Sequence, residues 1–353
     1  MRAWATCQAR DWHAVGRSAL RARVAPLLHR AWRKEAFVPP RLRHRLRLAY
    51  LQTGQRNLVL LRELQTAVGA LDAAGVPSIV LKGGALLPTV YRNIALRPMA
   101  DIDLLIRREH LDEALAVLGG AGFASDRPEL RRGAAAAYEN QVILFKAGPM
   151  PVPLEIHWSL FDSPYYQQHL ELDWCWQSAR PLPLGATTAR MLDPTAQLLH
   201  LCGHLVLHHR GTDLLWEHDI TELVTVSGPQ IDWPALIERA VTSQLVMAVT
   251  SILLRVAAKD AAPVPAAVVE RLRRLQPSRD EQRITAYLTA TDRRAGRRFW
   301  TDLASMNHAA ARLGYAWMHL FPSAAYMRAR YHVRHPVLLP LYYPYRWLRG
   351  LRG

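Results

Sequence analysis

Cysteine is scarce in this chain. Three in 353 residues (Cys7, Cys175 and Cys202) stand far apart with no CxxC pair, which excludes a disulfide framework and a cysteine zinc site. A reducing, cytoplasmic setting is therefore expected. Long apolar runs are also missing. The greasiest stretch, about Leu245 to Ala258, is interrupted by Thr250, Ser251 and Arg255 and falls short of the ~20 residues of a bilayer span, so no transmembrane segment is expected. The first ten residues carry charge before any apolar h-region develops, and no signal peptide is expected. Lysine is nearly absent too, since Lys34, Lys82, Lys146 and Lys259 are the only ones among 45 basic residues. Acids vanish after Asp302. No internal repeat and no low-complexity tract is present.

What remains is ordinary globular material, half hydrophobic and 21% charged, with a formal net charge of +16. The excess has two readings, a surface that spells every cation as arginine or a partner rich in phosphate. Residues 10–50 show near-helical spacing, and Leu58, Leu61, Leu64, Val68 and Leu71 predict a second helix closed by Gly75. Strands are predicted at Ser78 to Leu81, Ile102 to Ile106, Gln141 to Lys146 and Pro153 to Leu160, with Lys82-Gly83-Gly84 as a break and a helix over Leu111 to Leu118. After Pro181-Leu-Pro-Leu-Gly185 the pattern turns helical from Asp193 to about Leu275, with Pro194 and Pro234 at early helix positions. The expected organisation is an N-terminal helical region (1–71), an α/β core (72–185), a helical domain (186–300) and a basic aromatic tail (301–353).

The chemistry concentrates in the core. Asp101 and Asp103 on one strand would point to the same face, about 7 Å apart along the chain. Paired carboxylates repel unless a cation lies between them, and Mg²⁺ suits them because it takes oxygen ligands and keeps positions for phosphates. Glu155, within Leu154-Glu155-Ile156-His157, supplies a third carboxylate from another strand. Gly83 and Gly84 would let backbone N–H groups approach a phosphate.

The run LKGGALLPTVYRNIALRPMADIDLLI, followed by LEIHWSL, resembles the DNA polymerase β-type nucleotidyltransferase superfamily, in particular its branch of uncharacterised bacterial nucleotidyltransferases. The resemblance implies an α+β fold with a small mixed β-sheet core flanked by helices. It implies that Asp101, Asp103 and Glu155 are catalytic and hold metal, two Mg²⁺ ions, with Glu155 at the one that activates the acceptor hydroxyl. It also implies that Gly83 and Gly84 cradle phosphates and that Lys82 or Arg97 neutralises the leaving pyrophosphate. His157, two residues after Glu155 and so on the same strand face, is expected to orient the metal site. The expected reaction is transfer of a nucleoside monophosphate from an NTP, most naturally ATP, to a peptide, sugar or small-molecule acceptor, as in natural product biosynthesis. The alternatives are a nucleotide-binding regulatory or antitoxin-like protein without turnover, and an RNA-binding or RNA-modifying protein.

Two features lie outside that pattern. His200, His204 and His208 recur every four residues along one helix face. No HExxH glutamate accompanies them, so the expectation is a partly buried stripe bonded to Asp213 or Asp219 and lining the cleft opposite the sheet. The acid-free tail interleaves seven arginines with nine aromatics. It predicts either a segment folded back over the core or a contact with an anionic surface.

Overall fold

The computed structural model describes residues 11–125, 130–131, 133–185, 187–290 and 295–352; Cys7 lies outside the described residues. Helices α1 (Trp12–Arg21) and α2 (Ala25–Trp32) pack on the first half of α3 (Pro40–Ala73) around a small core of Trp32, Val38, Leu42 and Leu46. The long α3 is one continuous rod where the sequence suggests separate helices. Its buried stripe is Leu60, Leu64, Ala67, Val68 and Leu71, whereas Leu58, expected on that face, is 44% exposed. The true stripe keeps steps of four, three, one and three, and Leu58 falls off it by half a turn. Gly75 ends the rod as predicted. Its φ of +74 lets its own N–H reach the Asp72 carbonyl (2.9 Å) while the Val76 N–H reaches Leu71 (2.9 Å).

Next come β1 (Ser78–Val80), the short helix α4 (Lys82–Leu86) running into a π-turn (Leu87–Tyr91), β2 (Ile102–Ile106), α5 (Leu111–Gly120), β3 (Phe123–Ala124), α6 (Ala134–Tyr138), β4 (Gln141–Lys146), β5 (Val152–His157), α7 (Pro164–His169), α8 (Leu172–Gln177), β6 (Arg180–Leu184) and β7 (Thr187–Met191). The seven strands form one mixed sheet in the order β3-β4-β5-β2-β1-β7-β6. Strand β2 runs parallel to β5 and antiparallel to β1, and β1 runs parallel to β7. The fold is thus α+β with a mixed sheet flanked by helices, as the sequence predicts.

Two local readings need correction. Lys82-Gly83-Gly84 is not a break but the first turn of α4; Lys82 itself takes the bend, at φ +46. Nor does the sheet stop near Pro181. Pro181 and Pro183 look like strand breakers, yet they lie on β6, an edge strand whose outer side needs no N–H donors.

The helical half follows: α9 (Pro194–Leu207), α10 (Leu214–Ser227), α11 (Trp233–Thr242), α12 (Val246–Lys259), α13 (Ala266–Arg274) and α14 (Arg279–Thr289), then α15 (Ala295–Ser305), α16 (Ala309–Leu320), α17 (Ala324–Tyr331) and α18 (Leu339–Arg352). Asp193, Asp213, Asp232, Ser278 and Ser323 cap their helices by accepting N–H groups from the first turn. Every residue of α9 is buried, so it is the axle of this half. A single hydrophobic core joins the end of α3, the sheet and helices α9 to α14. A separate cluster of Ala134, Met306, Tyr315 and Met318 seats the C-terminal helices on α6. Among the described residues no helix is long and apolar enough to cross a membrane.

One buried carboxyl gives the fold a pH dependence. Glu281 is 1% exposed; its Oε1 accepts the Met247 N–H (2.6 Å) at the start of α12, and its Oε2 has no partner. Burial pushes this carboxyl up to about 7. Because the folded value lies above the unfolded one, the stabilising protonated form is fully present below the ordinary glutamate range and is lost as pH rises toward 7. Glu281→Gln keeps the Met247 bond without the charge. We expect it to raise stability above pH 7 by about 1–2 kcal/mol and to flatten urea-unfolding stability between pH 5 and 8, where the parent declines.

Candidate active site

The parallel register of β2 and β5 sets Asp103 directly opposite Glu155, and Leu105 opposite His157. Period-two alternation then sends Asp103, Glu155 and His157 to one face of the sheet, while Ile102, Leu104, Leu154 and Ile156 are 0% exposed beneath the other strand positions. Ligand atoms of Asp103, Glu155 and His157 all lie within 4.8 Å of one another. Asp101 sits in the bend just before β2 rather than on the strand, and lines the same cleft. It stands outside the tight group that Asp103, Glu155 and His157 form.

Two carboxylates in register, Asp103 buried and Glu155 half-buried, need compensation, and the fold supplies it locally. The Lys82 ammonium lies 2.5 Å from Asp103 Oδ1 and 3.8 Å from Glu155 Oε2. His157 Nε2 lies 3.0 Å from Asp103 Oδ1 and 3.3 Å from Glu155 Oε2, while its Nδ1 is buried without a partner. Burial works to raise Asp103, but Lys82 and the His157 hydrogen bond outweigh it and hold the carboxyl below the usual range. Burial works to lower Lys82, and the Asp103 and Glu155 charges overcome it. Asp101, lacking such a partner, is pushed up to about 6 by burial and then by the Asp103 charge. The left-handed φ of Lys82 costs about 1 kcal/mol or more and aims its side chain between the strands.

The two glycines are required by packing. A Cβ on Gly83 would collide with the Arg97 guanidinium and come within 2.8 Å of Met99 Cγ; one on Gly84 would come within 2.7 Å of Val80 Cγ1 and 3.2 Å of Leu64 Cδ2. Gly83 borders the cleft, and Gly84 packs away from it against β1 and α3.

Arg97 is held by another acid. Its Nε lies 3.2 Å from both Asp219 oxygens and its Nη2 2.9 Å from Oδ2, and the Tyr91 hydroxyl donates to Asp219 Oδ1 (2.6 Å). Arg97 is 5% and Asp219 0% exposed, and the guanidinium also stacks 5.2 Å from the Trp216 ring. This clasp fastens the sheet half to α10. Asp219, one of the two partners expected for the histidine stripe, is thereby used up. The other, Asp213, has its Oδ2 3.7 Å from His209 Nδ1 and receives Arg23 at 2.7 Å.

The stripe does face the sheet across the cleft. His204, His208 and His209 line it beside Trp216, while His200 is buried behind them against Phe161. The rings stack rather than converge on a point: His204 and His208 lie 4.6 Å apart at 18°, and His204 and Trp216 4.4 Å apart. Burial lowers His200 and His204 well below the ordinary histidine range and His208 to about 4, so this wall is neutral and aromatic at pH 7.

The cleft holds about 980 Å³, enough for a nucleotide with a second substrate. Its remaining wall comes from the C-terminal helices through Arg298, Asp302, Tyr315, Met318, His319 and Tyr326. Arg298 Nη2 donates to both Asp162 oxygens (2.6 and 2.7 Å), and Tyr315 donates to Asp302 (3.3 Å). The tail thus folds back over the core, one of the two outcomes its composition predicts. Trp216, Arg298 and Tyr315 were not expected at the site. None of the three lies in the runs that carry the resemblance.

A family described as uncharacterised nucleotidyltransferase matches residues 8–258, well over half of the chain. No curated protein matches. Among solved structures the chain is similar to a crystal structure of an antigenic nucleotidyltransferase-like protein from Paracoccidioides brasiliensis, at 15% identity and a TM-score of 0.40, covering 60% of this chain and 97% of that one.

The clasp makes a direct prediction. Asp219→Asn leaves the Arg97 guanidinium buried and unneutralised, and should cost about 3–5 kcal/mol in chemical unfolding. Adding Arg97→Met in the same chain should recover most of that loss, because it removes the orphaned charge.

Proposed function

The chain belongs to the uncharacterised nucleotidyltransferase family, and from that premise we propose that it transfers a nucleoside monophosphate from an NTP, ATP by preference, to a hydroxyl acceptor with release of pyrophosphate. The observation that carries this reading is the register of Asp103 against Glu155, which gathers two carboxylates and His157 at the floor of a nucleotide-sized cleft. The donor set fits a hard divalent cation. Asp101, Asp103 and Glu155 offer carboxylate oxygens, and the fold already seats a positive charge, the Lys82 ammonium, among them. Mg²⁺ held there would lower the pKa of the acceptor hydroxyl and offset phosphate charge.

The chain's own residues have distinct tasks in this reaction. Asp101, Asp103 and Glu155 would hold the cation, and Lys82 would turn from Asp103 toward the phosphates as that pair is relieved. Before a cation arrives, Lys82 and His157 hold the Asp103 carboxyl below the usual range, so it is ready as an ionised ligand. His157 would orient Glu155 through Nε2. Gly83 places backbone at the cleft edge, free of side chain, where the polyphosphate would run. The neutral wall of His204, His208 and Trp216 offers stacking area to a base without competing for its phosphates. Arg97, committed to Asp219, would act by fixing that wall against the sheet. The acceptor would lie toward Tyr315, Met318 and Tyr326.

The test uses α-labelled ATP, Mg²⁺ and fractionated metabolite or peptide acceptors. Label transfer is expected, dropping by about 10²–10³-fold in Asp103→Asn and in Glu155→Gln, and abolished by chelation. Nucleotide binding without transfer under all acceptors would establish the regulatory alternative.

A further inference from the structure

The C-terminal helices carry a second face that the cleft does not use. On α16, Tyr315, Met318 and His319 point into the cleft, while Leu313, Trp317 and Leu320 form the opposite stripe at 72%, 55% and 43% exposure. On α18, Leu341, Tyr345 and Leu348 repeat that i, i+4, i+7 spacing at 66%, 50% and 58% exposure, and Val337 just before it is 87% exposed. The two stripes are joined. Phe321 packs 4.4 Å from Trp317 and 5.5 Å from Trp347, and the Trp347 indole donates to the Leu320 carbonyl (2.8 Å). The same C-terminal helices and the turn after α17 carry the exposed arginines Arg312, Arg328, Arg330, Arg334 and Arg349, none ion-paired to an acid among the described residues. The chain has no acid after Asp302 to neutralise them.

We propose that this face seats the protein on an anionic lipid surface. The chemistry selects that occupant. A second copy of the chain would bring the same positive charge against itself. A single-stranded nucleic acid would use the arginines and rings, but it offers nothing to aliphatic side chains as exposed as Val337, Leu313, Leu341 and Leu348, which an acyl boundary takes up. Lipid headgroups answer both halves of the face: phosphate for the guanidinium groups, the interfacial layer for leucine and indole. This inference does not rest on the proposed transferase reaction.

Flotation of the full chain with vesicles of phosphatidylcholine alone, or of phosphatidylcholine mixed with phosphatidylglycerol, tests it. Binding is expected to the anionic vesicles and to be weaker by about tenfold or more on neutral ones, and to fall as salt rises. The double substitution Leu341→Ser with Leu348→Ser should cut anionic-vesicle binding by about tenfold, and Arg328→Gln with Arg330→Gln severalfold, each with an unchanged melting curve because all four side chains are exposed. Absence of flotation with anionic vesicles at low salt overturns the proposal. So does equal binding to neutral vesicles, and so does displacement from the vesicles by single-stranded RNA with undiminished RNA binding in the leucine variant, which assigns the face to nucleic acid.

Discussion

Two carboxylates placed in register on adjacent parallel strands set the terms for everything around them. Asp103 is 3% exposed, and a charge buried that deeply is stable only when it is paired and hydrogen-bonded. The chain meets this demand from three directions: the strained Lys82 at the start of α4, the imidazole of His157 two residues after Glu155, and the bend that leaves Asp101 partly exposed at the strand's entrance. Remove the compensation and the sheet would carry unscreened repulsion at its centre. A second charge pair, Arg97 from the sheet half with Asp219 from α10, then holds the aromatic wall opposite.

The central strands and the site acids were legible because both write themselves locally. A β-branched run marks β1, an apolar run marks β2, period-two alternation puts Asp103 and Glu155 on a single face, and glycine marks the end of α3. Pairs distant in sequence left no such trace. Asp219 lies 122 positions from Arg97, and Arg298 136 from Asp162, so nothing in the local pattern said which acid each cation would meet. The β6–β7 hairpin was hidden by the same rule that usually serves well, since proline excludes central strands but not edges. Gly83 and Gly84 stand out in the sequence as a possible phosphate cradle, and the structure gives them a packing reason instead: a Cβ there would meet Arg97, Met99 and Val80.

The surplus of positive charge divides along similar lines. Within the core, cations are spent on acids: Lys82 on Asp103, Arg97 on Asp219, Arg255 and Lys259 on Glu217, Arg298 on Asp162. Beyond Asp302 the chain has no acid, and exposed guanidinium groups without an acid partner among the described residues lie along α16 to α18. The acid-free segment after Asp302 thus supplies seven uncompensated arginines, while the rest of the surplus lies earlier in the chain, chiefly on the N-terminal helices.

Helix α16 is a partition wall, with the cleft on one side and the exposed stripe on the other. The family match ends at residue 258, so this wall and the lobe behind it come from the stretch of chain outside that match. The cleft thus has its floor of acids inside the matched stretch and its far wall outside it. Exchange of the segment after α14 between relatives would redraw the chamber's shape while leaving Asp103, Glu155 and their counter-charges untouched.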